Sequence, residues 1–175
     1  NLLNQNAYAI NLSASSAILV DGVNGEVIYE KNADRKMPMA STTKIMTALV
    51  VSEEMPLDSV VSVPPEAVGV EGSSAYLSAG ELLSVRDLLL ALLLQSANDA
   101  AVALAVAAAC SVEEFAELMN RKAAELQLKN THFTNPHGLY DEQHYTTARE
   151  LALITAEALK VKELREIFAT KSATI

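Results

Sequence analysis

Two short constellations carry the residue types that nucleophilic chemistry needs. The first is Ser41-Thr42-Thr43-Lys44. A hydroxyl attacks poorly until a neighbour takes its proton. An ammonium group can do so only where burial or nearby positive charge lowers its pKa toward neutrality. If Ser41 opens a helix, Lys44 lies three residues on, over the same face. The free N–H groups of the helix start then favour negative charge on Ser41 Oγ, and one of them can help to hold an oxyanion. Taken alone, the spacing fits a helix cap with a solvated lysine at least as well. The second constellation is Ser96-Ala97-Asn98, flanked by the apolar runs 88–94 and 100–109. Polar groups held against such surroundings need partners. A second hydroxyl beside a Ser–Lys pair can shuttle a proton, and an Asn amide can hold the lysine or a substrate carbonyl. By itself this corner also reads as a pair of helix caps. Ser-x-x-Lys and Ser-x-Asn each occur once in the chain, and in this order.

The elements that must position these residues follow from periodicity and turn chemistry. Residues 16–20 and 26–30 alternate as strands, and Asn24-Gly25 between them tolerates positive φ, which predicts a hairpin. Met37-Pro38-Met39-Ala40 is a non-helical lead-in. From Ser41, the residues Ile45, Met46, Leu49 and Val50 recur at helical spacing, predicting a helix to about Ser52. Residues 56–80, rich in Pro, Gly and Ser, read as short strands and loops. Ser84 with Asp87, Ser111 with Glu114 and Thr147 with Glu150 mark three later helix starts. The runs on either side of Ser96–Asn98 are each too short to span a bilayer and predict two buried helices meeting at a polar corner. Lys171–Ile175 has strand-like character. A lone hairpin is not a stable sheet in water, so it must pack on the helices or be joined by further strands.

Composition narrows the classes. The chain has 175 residues, half of them hydrophobic and a fifth charged, which fits one folded domain rather than a disordered segment. Thirteen basic against twenty-two acidic residues leave a charge of −9. No dense basic patch is available for nucleic acid or for unaided binding to anionic lipid. Residues 1–15 carry no basic stretch followed by an apolar one, so no export leader is expected there. Cys110 is the single cysteine, which excludes an internal disulfide or a thiolate metal cluster. It is expected as a small buried residue inside an Ala-rich helix. His132, His137 and His144 share one loop region and are expected as loop caps or surface residues rather than metal ligands. Glu53-Glu54, Glu113-Glu114 and Asp141-Glu142 read as solvated faces.

The two constellations together resemble the signatures of the active-site serine penicillin-recognising enzymes, S-x-x-K, S-x-N and K-T-G. The resemblance runs through ordered segments: 17–29, 39–47 around Ser41, Gly72-Ser73-Ser74-Ala75-Tyr76-Leu77, 85–101 around Ser96, 130–139 and 145–151. Among those enzymes the chain is most similar to the low-molecular-mass D-alanyl-D-alanine carboxypeptidases. The resemblance implies an α/β (α+β) fold of the β-lactamase/transpeptidase type, with an N-terminal hairpin and a mainly helical subdomain. Residues 1–175 would form a single serine peptidase domain, incomplete at its C-terminus. Lys-Thr-Gly is absent, and Lys171-Ser172-Ala173 is no substitute for it. By resemblance that motif, three strands and a closing helix would lie beyond residue 175, carried there or on a separate C-terminal fragment. Residues 1–175 alone are then not expected to turn over substrate.

The resemblance also implies the chemistry. Ser41 would attack the carbonyl joining two D-alanines at the end of a peptidoglycan stem peptide. Lys44 would accept its proton, Ser96 would assist proton transfer to the leaving D-alanine, and Asn98 would bind substrate. β-Lactams would acylate Ser41 and leave slowly. No metal or organic cofactor is implied. The expected location is extracytoplasmic, at the outer face of the cytoplasmic membrane, with any membrane anchor outside these residues. A β-lactamase is an alternative, although Ala97 stands where those enzymes usually carry Asp and no deacylating Glu segment is recognisable. A non-catalytic wall-binding or penicillin-sensing module is the other.

Overall fold

The structure is a computed structural model and describes residues 12–175. Residues 1–15, read above for an export leader, fall largely outside that range. Strands β1 (Ala17–Val20) and β2 (Val27–Lys31) form the expected antiparallel hairpin, with Ile18 opposite Glu30 and Leu19 opposite Tyr29. Gly25 supplies the turn's positive φ, at +75°. The carboxylate of Asp21 accepts the N–H groups of Val23 and Asn24, closing the turn as an Asx motif does. Of the two ways to support a lone hairpin, packing on a helix is the one observed. β1 lies against α5 (Ala148–Ala158), and Arg149 of that helix bridges Glu30 and Asp34 at 2.6 and 2.7 Å.

The helical body is built around α3 (Asn98–Ala109), whose residues from Asn98 to Ala105 are all buried. Its alanines are small enough for helices to approach from several sides, the condition for a helix apolar all round. α1 (Thr43–Glu54), α2 (Val85–Leu94) and α4 (Val112–Glu125) all pack on it. Met46, Leu49, Leu88, Leu89, Leu92, Leu104, Phe115 and Met119 fill the space between them. A short pair, β3 (Val60–Ser62) with β4 (Leu82–Ser84), borders this core, and α6 (Lys162–Phe168) packs on α2.

All three expected caps are present. The hydroxyls of Ser84, Ser111 and Thr147 accept the N–H groups of Asp87, Glu114 and Glu150 at about 3 Å, each satisfying one orphan donor of its helix.

Three expectations need correction. Cys110 is exposed and lies just past α3 in the left-handed region, φ +69°. Ser111 must cap the next helix, so the chain reverses within one residue and the thiol turns outward. Lys171–Ile175 forms no strand and is exposed along its length. Ser41 does not open the α-helix itself: it sits in a 3₁₀ turn, Ala40–Thr42, that leads into α1.

Candidate active site

The turn that carries Ser41 is held by its own threonines. Thr42 Oγ1 donates to Met39 O, and Thr43 Oγ1 donates to Ala40 O at 2.8 Å. Ala40 takes φ +45°, a left-handed conformation that costs a non-glycine residue about 1 kcal/mol or more. The result is an exposed Ser41 above a buried Lys44, which is only 2 % exposed. Lys44 Nζ donates to Asn98 Oδ1 at 2.7 Å and to the His137 carbonyl at 2.7 Å, and lies 3.4 Å from Ser41 Oγ. All three partners are uncharged oxygens, and none of the ion pairs among the described residues includes Lys44. Burial without a compensating carboxylate therefore pulls its pKa from 10.5 down to about 8, the desolvation effect expected of a buried amine.

Asn98 is the second fixed point. It opens α3, is 5 % exposed, and spends both ends of its amide. Oδ1 accepts from Lys44, while Nδ2 donates to Glu71 O at 2.6 Å. Its backbone N–H donates to Ser73 O at 2.7 Å. Gly72, φ +95°, approaches so closely that a Cβ there would stand 2.7 Å from Asn98 Nδ2. Asp99 ties down the remainder of this loop. Its carboxylate accepts from Ser74 Oγ (2.7 Å), Ala75 N (3.0 Å), Leu77 N (3.1 Å) and Ala100 N (2.9 Å). Burial opposes that charge, but the four hydrogen bonds outweigh it and hold the carboxyl below the ordinary aspartate range.

The third wall is the segment 131–147. Pro136 O accepts from Thr47 Oγ1 at 2.6 Å, one turn below the His137–Lys44 bond. Gly138, φ +91°, presses directly on the serine turn: a Cβ there would lie 1.9 Å from Ala40 O. His144, 3 % exposed, places Nε2 2.7 Å from Thr43 Oγ1. The pair Met37 and Thr146, joined by two backbone hydrogen bonds, fastens the same segment to the lead-in of the turn.

The profile of the D-alanyl-D-alanine carboxypeptidase family matches residues 3–175. The chain belongs to that family. It is 38% identical over 162 residues to the Bacillus subtilis D-alanyl-D-alanine carboxypeptidase DacF, covering 90% of this chain and 42% of that protein. Among solved structures it is similar to penicillin binding protein 5 from Haemophilus influenzae, with a TM-score of 0.89, 33% identity, and 94% and 51% of the two chains covered. It is also similar to a Streptomyces DD-transpeptidase, with a TM-score of 0.85, 34% identity, and 90% and 65% covered. The fold expected from the signatures is thus the fold observed, and the chain spans about half the length of the relatives it matches.

Within this carboxypeptidase-family chain, three of the four residues singled out by sequence meet directly: Ser41, Lys44 and Asn98. Ser96, the fourth, stands two residues before Asn98 at the α2–α3 corner, half-buried, with φ +58°. Its hydroxyl forms no hydrogen bond among the described residues. No buried polar side-chain atom there lacks a partner, so this hydroxyl retains solvent contact. The sequence motifs did not mark Asp99, Gly138, Thr43 or His144 as part of the site. His144 and His137 are buried or half-buried neutral groups, both drawn down to about 4 by desolvation first. His144 is therefore neither a surface residue nor a simple loop cap. Among the described residues no cluster of three or more His, Cys, Asp or Glu could hold a metal ion.

Proposed function

We propose that the protein of which these residues are part is a serine D-alanyl-D-alanine carboxypeptidase acting on peptidoglycan stem peptides. Ser41 Oγ adds to the penultimate D-alanine carbonyl as its proton passes to neutral Lys44. The tetrahedral oxyanion then collapses, the C–N bond breaks, and the departing D-alanine amine takes a proton from Lys44 or through Ser96. Water adds to the acyl-Ser41 ester, giving up its proton to Lys44, and Lys44 passes that proton to Ser41 Oγ as the ester bond breaks and the shortened peptide leaves. Asn98 holds Lys44 in place through Oδ1, and the Nδ2 hydrogen not given to Glu71 O would donate to a substrate carbonyl. A β-lactam would acylate Ser41 in the same way, because its strained amide presents a similar carbonyl. The substrate lies outside the cytoplasmic membrane, so the protein would act there. Among the described residues no helix is long and apolar enough to cross a membrane.

The observation that carries this reading is the setting of Lys44. It is a buried amine 3.4 Å from an exposed hydroxyl, bonded only to uncharged oxygens, with a pKa near 8. A structural lysine would be expected to find a carboxylate, whereas a proton acceptor needs a pKa close to working pH. D-Alanine release from an acyl-D-alanyl-D-alanine peptide by the whole protein tests it. Release that disappears in Ser41→Ala is expected; release unchanged in that variant would overturn the assignment.

A further inference from the structure

A one-way relay of hydrogen bonds runs from segment 131–147 to the peptide preceding Ser41. His144 Nδ1 lies 3.0 Å from the Thr134 backbone N–H, a group that can only donate. Nδ1 must therefore carry the lone pair. The neutral imidazole then has its proton on Nε2, which donates to Thr43 Oγ1 at 2.7 Å. The lowered pKa of His144, set by burial, is consistent with that neutral form. With one lone pair occupied by His144, the Thr43 hydroxyl sends its own proton to Ala40 O at 2.8 Å. The opposite imidazole tautomer would draw the Thr43 proton toward His144 and leave Ala40 O without it.

Ala40 O is therefore held on two sides. It accepts from Thr43 Oγ1 and from the Thr43 N–H, and Gly138 closes over it. The Ala40–Ser41 peptide is trans, so its C=O and N–H point in opposite directions within one plane. Pinning the carbonyl oxygen also fixes the direction of the Ser41 N–H. That N–H forms no backbone hydrogen bond among the described residues. The left-handed φ of Ala40 is a conformation that relaxes unless its surroundings over-determine it.

We infer that His144 is a positioning residue: acting through Thr43 Oγ1 and Ala40 O, it sets the Ala40–Ser41 peptide plane and aims the Ser41 N–H at the developing oxyanion. This rests on the acyl-transfer reading of Ser41. It adds a role to a residue 101 positions away from Thr43 in the chain, for which the motifs assign none.

The test uses an ester substrate of the acyl-D-alanine type and its thionoester, in which sulfur replaces the carbonyl oxygen. Sulfur accepts hydrogen bonds weakly, so the thionoester gains little from an aimed N–H donor. In the whole protein, Thr43→Val and His144→Leu are compared with Thr43→Ser and His144→Gln, which retain a hydroxyl and a neutral donor respectively. Acylation by the oxo ester should fall about 10- to 100-fold in the first pair, short of the loss of an entire oxyanion donor. The thionoester rate and the non-covalent affinity should stay unchanged, and the second pair should behave as wild type. Equal loss with both esters, or an undiminished oxo-ester rate in folded Thr43→Val, would overturn the inference. Failure of wild type to acylate Ser41 with either ester would instead remove the reading beneath it.

Discussion

Replacing Asn98 by Asp places a carboxylate where a neutral amide oxygen now lies 2.7 Å from Lys44 Nζ. In the native site no carboxylate offsets the desolvation of the ammonium, and its pKa falls from 10.5 to about 8. At 1.36 kcal/mol per unit, that is roughly 3 kcal/mol against the charged form. At pH 7 about one Lys44 in ten is then neutral, the form in which the proposed mechanism has it accept the Ser41 proton. A carboxylate at 2.7 Å has a Coulomb attraction of about 6 kcal/mol at an effective dielectric of 20, and desolvation of the new charge offsets part of it. The net upward shift expected for such a pair is about 1–3 units, returning Lys44 to about 9–11. Acylation of Asn98→Asp by a fluorescent penicillin should therefore slow by about tenfold or more at pH 7 and recover as pH rises. The midpoint of its pH profile should lie at least one unit above that of wild type, whose rate should climb through pH 8. A variant slower at every pH, with an unmoved midpoint, would show that Asn98 contributes only packing and that Lys44 is not the titrating base.

Gly138→Ala brings a Cβ to 1.9 Å from Ala40 O at a residue with φ +91°. It should destabilise the protein by at least about 3 kcal/mol in urea unfolding and abolish penicillin labelling. Asp99→Ala strands the donors of Ser74, Ala75, Leu77 and Ala100. A loss of about 3 kcal/mol is expected, with faster proteolysis of residues 71–77 than in wild type. His137 and His144 titrate near 4 in the folded chain, below the ordinary value of about 6.5. The unfolded chain thus binds more protons between pH 6.5 and 4, and stability should fall as pH drops through that window, by about 3 kcal/mol for each histidine at its foot. Unfolding at pH 7 and 4.5 measures this, and His144→Gln should flatten the slope.

Local chemistry was readable from sequence. The caps Ser84, Ser111 and Thr147 act on N–H groups three residues away, within the span of a pattern. The hairpin needed only alternation and Gly25. Ser41, Lys44 and Asn98 were legible because their side chains do the bonding. The residues missed depend on backbone partners or distant pairs. Lys44's second acceptor is the carbonyl of His137, 93 positions away, and a carbonyl leaves no trace in residue type. Gly138 is needed for its close approach to Ala40 O, which becomes visible only once the two segments meet. His144 looked like any loop histidine until Thr43 lay against it. Cys110 was misplaced because an Ala-rich run suggests a continuous buried helix, whereas the Ser111 cap forces the chain to turn one residue earlier. The missing carboxylate beside Lys44, the feature that matters most for its pKa, is a fact of three-dimensional neighbourhood alone.

Peptide mapping by tandem mass spectrometry after brief penicillin treatment of the whole protein tests the role of Ser41 most directly. One penicilloyl adduct on Ser41, lost in Ser41→Ala and slowed in Lys44→Ala, is the predicted result. An adduct on Ser96 or another hydroxyl, or a Ser41 adduct that forms equally fast without Lys44, would contradict it.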